Sequence, residues 1–146
     1  RWSGDWSSDV CSSDLIAFDR IDTGLEKVVI LSDMNELGED SPFWHRQIGR
    51  FFHKMHSVGS LILMGNMVKW VGQTVPIGLK VDYASNCEEV LNILDSLMKS
   101  KKLCILVKGS TFGYTSGLAE LVRDLTEKSD ADLKPISNNS EKQLQV

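Results

Sequence analysis

Three stretches of the chain are apolar at almost every position. They are Lys27 to Ser32 (KVVILS), Ser60 to Gly65 (SLILMG) and Leu103 to Val107 (LCILV), and Leu79 to Ala84 (LKVDYA) is a shorter candidate. Runs of this length without a polar face suit parallel strands covered by helices on both sides. Between them the period becomes helical. Trp44, Ile48, Phe51, Phe52 and Met55 share one helical face, with Ser41 as the expected N-cap and Pro42 at the first helical position. His45, Arg46, Arg50 and Lys54 lie on or near the other face. A second helix is predicted over 86–99, capped by Asn86, with Glu88 and Glu89 in its first turn and Val90, Leu91, Leu94 and Leu97 inward. A third is predicted over 116–128, with Leu118, Leu121, Val122 and Leu125 inward. Strands alternating with helices define an α/β class: a Rossmann-like, mostly parallel sheet with helices on both faces.

The two ends break this pattern. Arg1 to Leu15 (RWSGDWSSDVCSSDL) is polar, repeats Ser-Ser-Asp and has neither period. Within it, Asp5 to Leu15 resembles one reading frame of a common sequencing-library adapter, which implies an adapter-derived, disordered segment to be set aside from the fold. Ser129 to Val146 is polar without a core pattern and reads as a disordered tail. The expected organisation is thus 1–15 outside the fold, one domain over 16–128 and a tail over 129–146, the whole being the end of a longer protein.

Composition narrows the function classes. The chain has 146 residues, enough for one domain with a real core. Its net charge is −4 with no basic run, which argues against nucleic acid or an anionic membrane as the main partner. No apolar segment has the length of a membrane span. Cys11, Cys87 and Cys104 form no CxxC pair, so no metal or redox signature is present, and sparse cysteine fits a reducing cytoplasm. GxGxxG, GxxxxGK[ST], GxSxG and HxxxH are all missing.

Candidate chemistry lies where open α/β sheets bind ligands, beyond the carboxyl ends of the strands. One loop, Ser32 to Ser41, follows the first strand and carries Asp33, Glu36, Glu39 and Asp40. The other, Lys108 to Thr115 (KGSTFGYT), follows the last and brings a lysine, two glycines and hydroxyls to a helix start, a favourable place for an anion. Each has a plain alternative: Asp33 as a turn cap, and Lys108 as a solvated residue of an ordinary Gly/Ser loop. The residues themselves leave both readings open. His45 reads as a hydrogen-bonded structural histidine, His53 and His56 as surface residues, Cys87 and Cys104 as buried thiols. Gly49 reads as the residue that lets its helix approach the sheet.

The stretch VVILSDMNELGEDSPFWHRQIG resembles the start of the C-terminal domain of the Mur ligase family. That family typically has an aliphatic strand, Gly-Asp-Met-x-Glu-Leu-Gly, then His-x-x-x-Gly. Here these fall on Ser32 to Gly38 and on His45 to Gly49. A second family signature, Val-Lys-Gly-Ser, falls on Val107 to Ser110. The likeness spans 27–125. Ser32 stands for the usual glycine and Thr111 for the usual arginine. The motif is most similar to the branch that adds D-alanyl-D-alanine to UDP-N-acetylmuramoyl-tripeptide in peptidoglycan synthesis. The resemblance implies substrate or nucleotide contacts by Asp33, Met34, Asn35, Lys108, Gly109, Ser110 and Thr111, and structural roles for Glu36, Gly38, His45 and Gly49. It implies ATP and Mg²⁺ held mainly by a central domain outside this chain, no catalytic or metal-binding residue here, and no activity from this piece alone. A folate-polyglutamate-type ligase tail, or a stand-alone flavodoxin- or receiver-like binding module, are the alternatives.

Overall fold

The innermost strand organises the molecule. β1 (Glu26–Ser32) is buried at six of its seven positions. Successive side chains of a strand point to opposite faces, so its unbroken apolar run feeds two cores at once. Val29 and Leu31 enter one, Val28 and Ile30 the other. The structure is a computed structural model that describes residues 12–109 and 117–129. β1 is flanked by β2 (Val58–Met64) and β4 (Leu103–Lys108), and β3 (Lys80–Ala84) lies outside β2. All three pairings are parallel, in the order β3-β2-β1-β4, with Val29 opposite both Leu61 and Leu106.

Five helices cover the sheet among the described residues: α1 (12–20), α2 (Ser41–Phe51), α3 (Lys69–Gly72), α4 (Cys87–Met98) and α5 (118–129). Short 3₁₀ segments, Asn35–Asp40 and Phe52–Lys54, precede and follow α2. Leu15, Phe18, Ile48, Phe52, Val68 and Val71 from α1, α2, α3 and their ends fill the first core. Val90 and Leu94 of α4 with Leu118 and Val122 of α5 fill the second. Each fully buried aliphatic side chain contributes about 1.5–3 kcal/mol. The α/β class with parallel strands and helices on both faces is therefore as the apolar pattern predicts.

Several local expectations differ. Residues 12–15, set aside on composition, belong to α1, and Leu15 is completely buried. A Ser/Asp-rich turn of helix needs no periodicity when one leucine anchors it. At the other end of the helix, Asp19 accepts from the His56 and Ser57 N–H groups and the Ser57 hydroxyl. The Lys27 ammonium, buried at the start of β1, donates to the Asp19 carbonyl at 2.8 Å and to Ser57 Oγ at 2.9 Å. Burial would raise the Asp19 pKa, but the bonds from Ser57 and His56 and the Lys27 charge outweigh it and hold the carboxyl below 3.8.

The buried stripe of α2 is also rotated from the predicted one. Ser41, His45, Ile48 and Gly49 are its buried residues, whereas Trp44 is half-buried and packs edge-on against Phe43, with ring centroids 5.1 Å apart. Gly49 admits α3, not the sheet: a Cβ there would lie 2.0 Å from Thr74 Oγ1 and 2.4 Å from the Val71 carbonyl oxygen. Ser41 starts α2 without capping it, its hydroxyl lying 3.1 Å from His45 Nδ1. Leu121 is exposed, and Cys87 and Cys104 are half-buried thiols outside any disulfide. α4, in contrast, is capped as predicted, Asn86 Oδ1 accepting from Glu89 N–H at 2.9 Å. The four residues of α3 are too few to show a helical period, and they were not anticipated.

Candidate functional site

The strand order reverses between β1 and β4, and the crevice of an open α/β sheet lies outside the carboxyl ends of such strands. Both predicted loops leave the sheet there. Leu31 is paired with Lys108, so Ser32-Asp33-Met34 and Lys108-Gly109 emerge side by side. Ser110 and Thr111 lie outside the described residues.

On the β1 side the aspartate of the acidic loop is occupied by the backbone of a neighbouring turn. The Asp33 carboxylate accepts three N–H groups from the turn after β2: Asn66 at 2.9 Å, Met67 at 2.8 Å and Val68 at 2.9 Å. Asp33 thus caps a neighbouring turn that is 33 to 35 residues away in sequence, neither its own turn nor a freely offered ligand group. Gly65 makes room for it, since a Cβ there would meet the carboxylate at 2.6 Å, and its φ of 129° suits only glycine.

His45 fixes the rest of the loop. It is completely buried. Its Nδ1 lies 2.7 Å from the Ser41 carbonyl oxygen, which can only accept, so Nδ1 carries the proton. Nε2 then accepts the Met34 N–H at 3.3 Å. Burial pushes the imidazole pKa below its ordinary 6.5, against the upward pull of the Ser41 carbonyl and the Asp33 charge. The ring is a neutral brace between Met34 and α2. Met34 packs against the first core, and Asn35 opens the 3₁₀ segment. Glu36 and Gly38 lie within that segment, where Gly38 takes φ 61°, ψ −144° and breaks the helical path as a side-chain-bearing residue would resist doing.

The β4 side is built differently. Gly109 sits against Ser32: a Cβ at 109 would lie 1.8 Å from Ser32 Oγ and 3.0 Å from its Cβ. Among the described residues, Ser32 Oγ is buried with no hydrogen-bond partner. Gly109 is therefore needed here for close packing between the two loops. The Lys108 ammonium pairs with the Asp14 carboxylate of α1, with side-chain exposures of 25% and 47%. Asp14 lies in the segment set aside on composition, and nothing in its spacing marks it as a neighbour of β4. Among the described residues, no group of three His, Cys, Asp or Glu side chains could hold a metal ion. No helix of the described residues is long and apolar enough to cross a membrane.

No family model matches the chain, and no curated protein does. Solved structures do. MurF from Acinetobacter baumannii is 22% identical in one crystal structure, covering 80% of this chain and 24% of that chain, with a TM-score of 0.60. A second crystal structure of it is 21% identical over 82% and 25%, with a TM-score of 0.59. The MurF ligase from Thermotoga maritima, crystallised in complex with ADP, is 17% identical over 84% of this chain and 27% of that one, with a TM-score of 0.63. The chain thus spans about a quarter of the proteins it is similar to. Four parallel strands in this order, with helices on both faces, give the chain the fold of the Mur ligase C-terminal domain.

Proposed function

We propose that the chain is the C-terminal domain of a cytoplasmic, ATP-dependent Mur-type amide ligase of peptidoglycan synthesis, from the branch that joins D-alanyl-D-alanine to UDP-N-acetylmuramoyl-tripeptide. One observation carries this reading. The two motif-bearing loops, SDMNELG and VKGS, are far apart in sequence, yet they leave adjacent parallel strands at the point where the strand order reverses. In such a ligase ATP phosphorylates a carboxylate and an amine then attacks the acyl phosphate. A domain that closes over this intermediate excludes water from it.

In this reading, Lys108, the Gly109 backbone, Ser110 and Thr111 meet the incoming dipeptide or the nucleotide. Met34 and Asn35 form the β1 wall, and Asp33 serves by locking the two loops together. The described residues do not fit a Mg²⁺ site, because Asp33 is engaged by three amides and no ligand cluster exists. Metal and phosphate-loop chemistry is assigned to the other domains of the parent chain. In this reading the domain spans 16–128 and 129–146 is a tail; the described helices begin at 12 and end at 129. The same occupied carboxylate argues against a receiver-like module, whose aspartate must be open to a phosphoryl group.

Fusing this chain to the N-terminal and central domains of a D-alanyl-D-alanine-adding ligase tests the proposal. The fusion should form the ligated precursor with ATP, and the isolated chain should not. Turnover by the isolated chain, or a folded fusion that ligates glutamate to a folate but not the dipeptide, would overturn it.

A further inference from the structure

At the end of the sheet opposite the crevice, the chain carries a hole and a knob side by side. The hole is a cavity of about 250 Å³ lined by Phe52, Met55, Val58 and Leu79 and by Pro76 and Gly78. Val58 begins β2 and Leu79 immediately precedes β3, so the cavity lies at the amino ends of these strands, away from both motif-bearing loops. The knob is Ile77. The Leu79 N–H donates to the Pro76 carbonyl at 3.1 Å and closes a tight turn that holds Ile77 near its tip. Such tips favour glycine and small polar residues, yet this one carries a branched aliphatic side chain. Ile77 is 105% exposed, more than any other large apolar side chain among the described residues. It therefore points away from the cavity that both of its chain neighbours line.

We propose that this patch pairs two copies of the chain about a two-fold axis, with Ile77 of each copy seated in the cavity of the other. An isologous contact needs knob and hole on one surface, and a single turn supplies both. A partner of another kind would need only the hole and would leave Ile77 in water. The sizes agree. An apolar cavity of roughly 150 Å³ takes up benzene, so one of about 250 Å³ has room for an isoleucine side chain. Charge agrees as well. Gly59 also lines the cavity, and the Glu26 carboxylate lies against it. Lys80 follows Leu79 directly. Glu26 and Lys80 are held by Lys101 and Asp82 in partly exposed ion pairs that exchange at little cost. The rim thus bears both signs, and a two-fold contact can set Glu26 of one copy against Lys80 of the other. One seated side chain per copy is a small contact beside the roughly 1,200–2,000 Å² of a stable interface, so the pairing is weak and follows concentration.

Sedimentation of the full chain over a concentration series reaching about 1 mM reads the pairing. The mean mass should rise with concentration toward that of a dimer. Ile77→Asp should weaken the association at least about tenfold, because each dimer exchanges two buried isoleucines for two buried charges. Ile77 belongs to neither core cluster, so the variant should keep its fold, which circular dichroism checks. In a sample mixing isotope-labelled and unlabelled chain, the Ile77 methyl groups should show NMR contacts to Phe52 and Met55 of the second copy. A chain that stays monomeric throughout the series overturns the proposal and leaves the cavity to another domain of the longer protein. Association that survives Ile77→Asp, or that brings no Ile77 methyl near the cavity, overturns it too, since the copies then meet on another surface. The outcome is independent of the ligase reading, because no crevice residue takes part.

Discussion

At the β1 end of the crevice, Asp33 has three backbone partners and His45 has two, all fixed by the chain itself. At the β4 end, among the described residues, Lys108 has one half-exposed side-chain partner, and the β1 hydroxyl of Ser32 that Gly109 packs on has none. A carboxylate satisfied by backbone amides is architecture, because releasing it would orphan the amides it holds. A lysine held by one exposed carboxylate can exchange partners at little cost. Two loops of similar polarity thus differ in how they are held: one by backbone amides that fix the crevice's shape, the other by an exchangeable side-chain pair.

Removing the β1-side brace should cost most. Asp33→Ala leaves the amides of 66–68 without their acceptor and should lower stability by about 2–3 kcal/mol in urea unfolding, with faster hydrogen exchange at Met67 and Val68. A loss below about 0.5 kcal/mol would erase the contrast between the two ends. The close packing of Gly109 on Ser32 comes next. Gly109→Ala should cost about 1–3 kcal/mol through overlap with Ser32 Oγ. Adding Ser32→Gly should recover much of that loss, and a double-mutant cycle measures how much. Strict additivity would show that the two residues do not touch.

His45 sharpens the contrast through pH. Its folded pKa lies below 6.5, so the stability it contributes is fully present above pH 6.5 and is lost as the pH falls toward the depressed folded value. Protonation would set an Nε2–H against the Met34 N–H. Stability measured from pH 7.5 to 5 should fall more in the parent chain than in His45→Gln. The smallest effect belongs to the β4 side. Lys108→Gln should change stability by less than about 1 kcal/mol while abolishing dipeptide binding. A large loss of stability would make Lys108 architecture too.

β1 and β2 were legible because burial on both faces leaves few polar positions in the run, a signal carried by each residue alone. The cap of α4 was legible because Asn86 and Glu89 are three residues apart and meet by helical geometry. α2 was half legible. Its period was correct, but Trp44 outranked His45 on hydrophobicity, while the fold buried the histidine, whose two ring nitrogens find partners at Ser41 and Met34. Gly49 was rightly a close contact, but against Thr74, a residue of another helix's end that no local period could specify. Asp14 was invisible, lying in a segment whose composition argued against any order.

Sequence by itself determined the alternation of strands and helices, the two loops rich in chemistry and the likeness of both to one family's motifs. These depend on spacing within a few residues, where covalent geometry fixes who meets whom. Only the tertiary structure decided what each polar group does. Asp33 faces the turn after β2 because parallel strands bring their carboxyl ends together, and Lys108 faces Asp14 because a buried leucine anchors α1 beside it. Those contacts span from 33 to 94 residues, and a hydrogen bond or ion pair is set by distance in space, which a linear pattern does not carry.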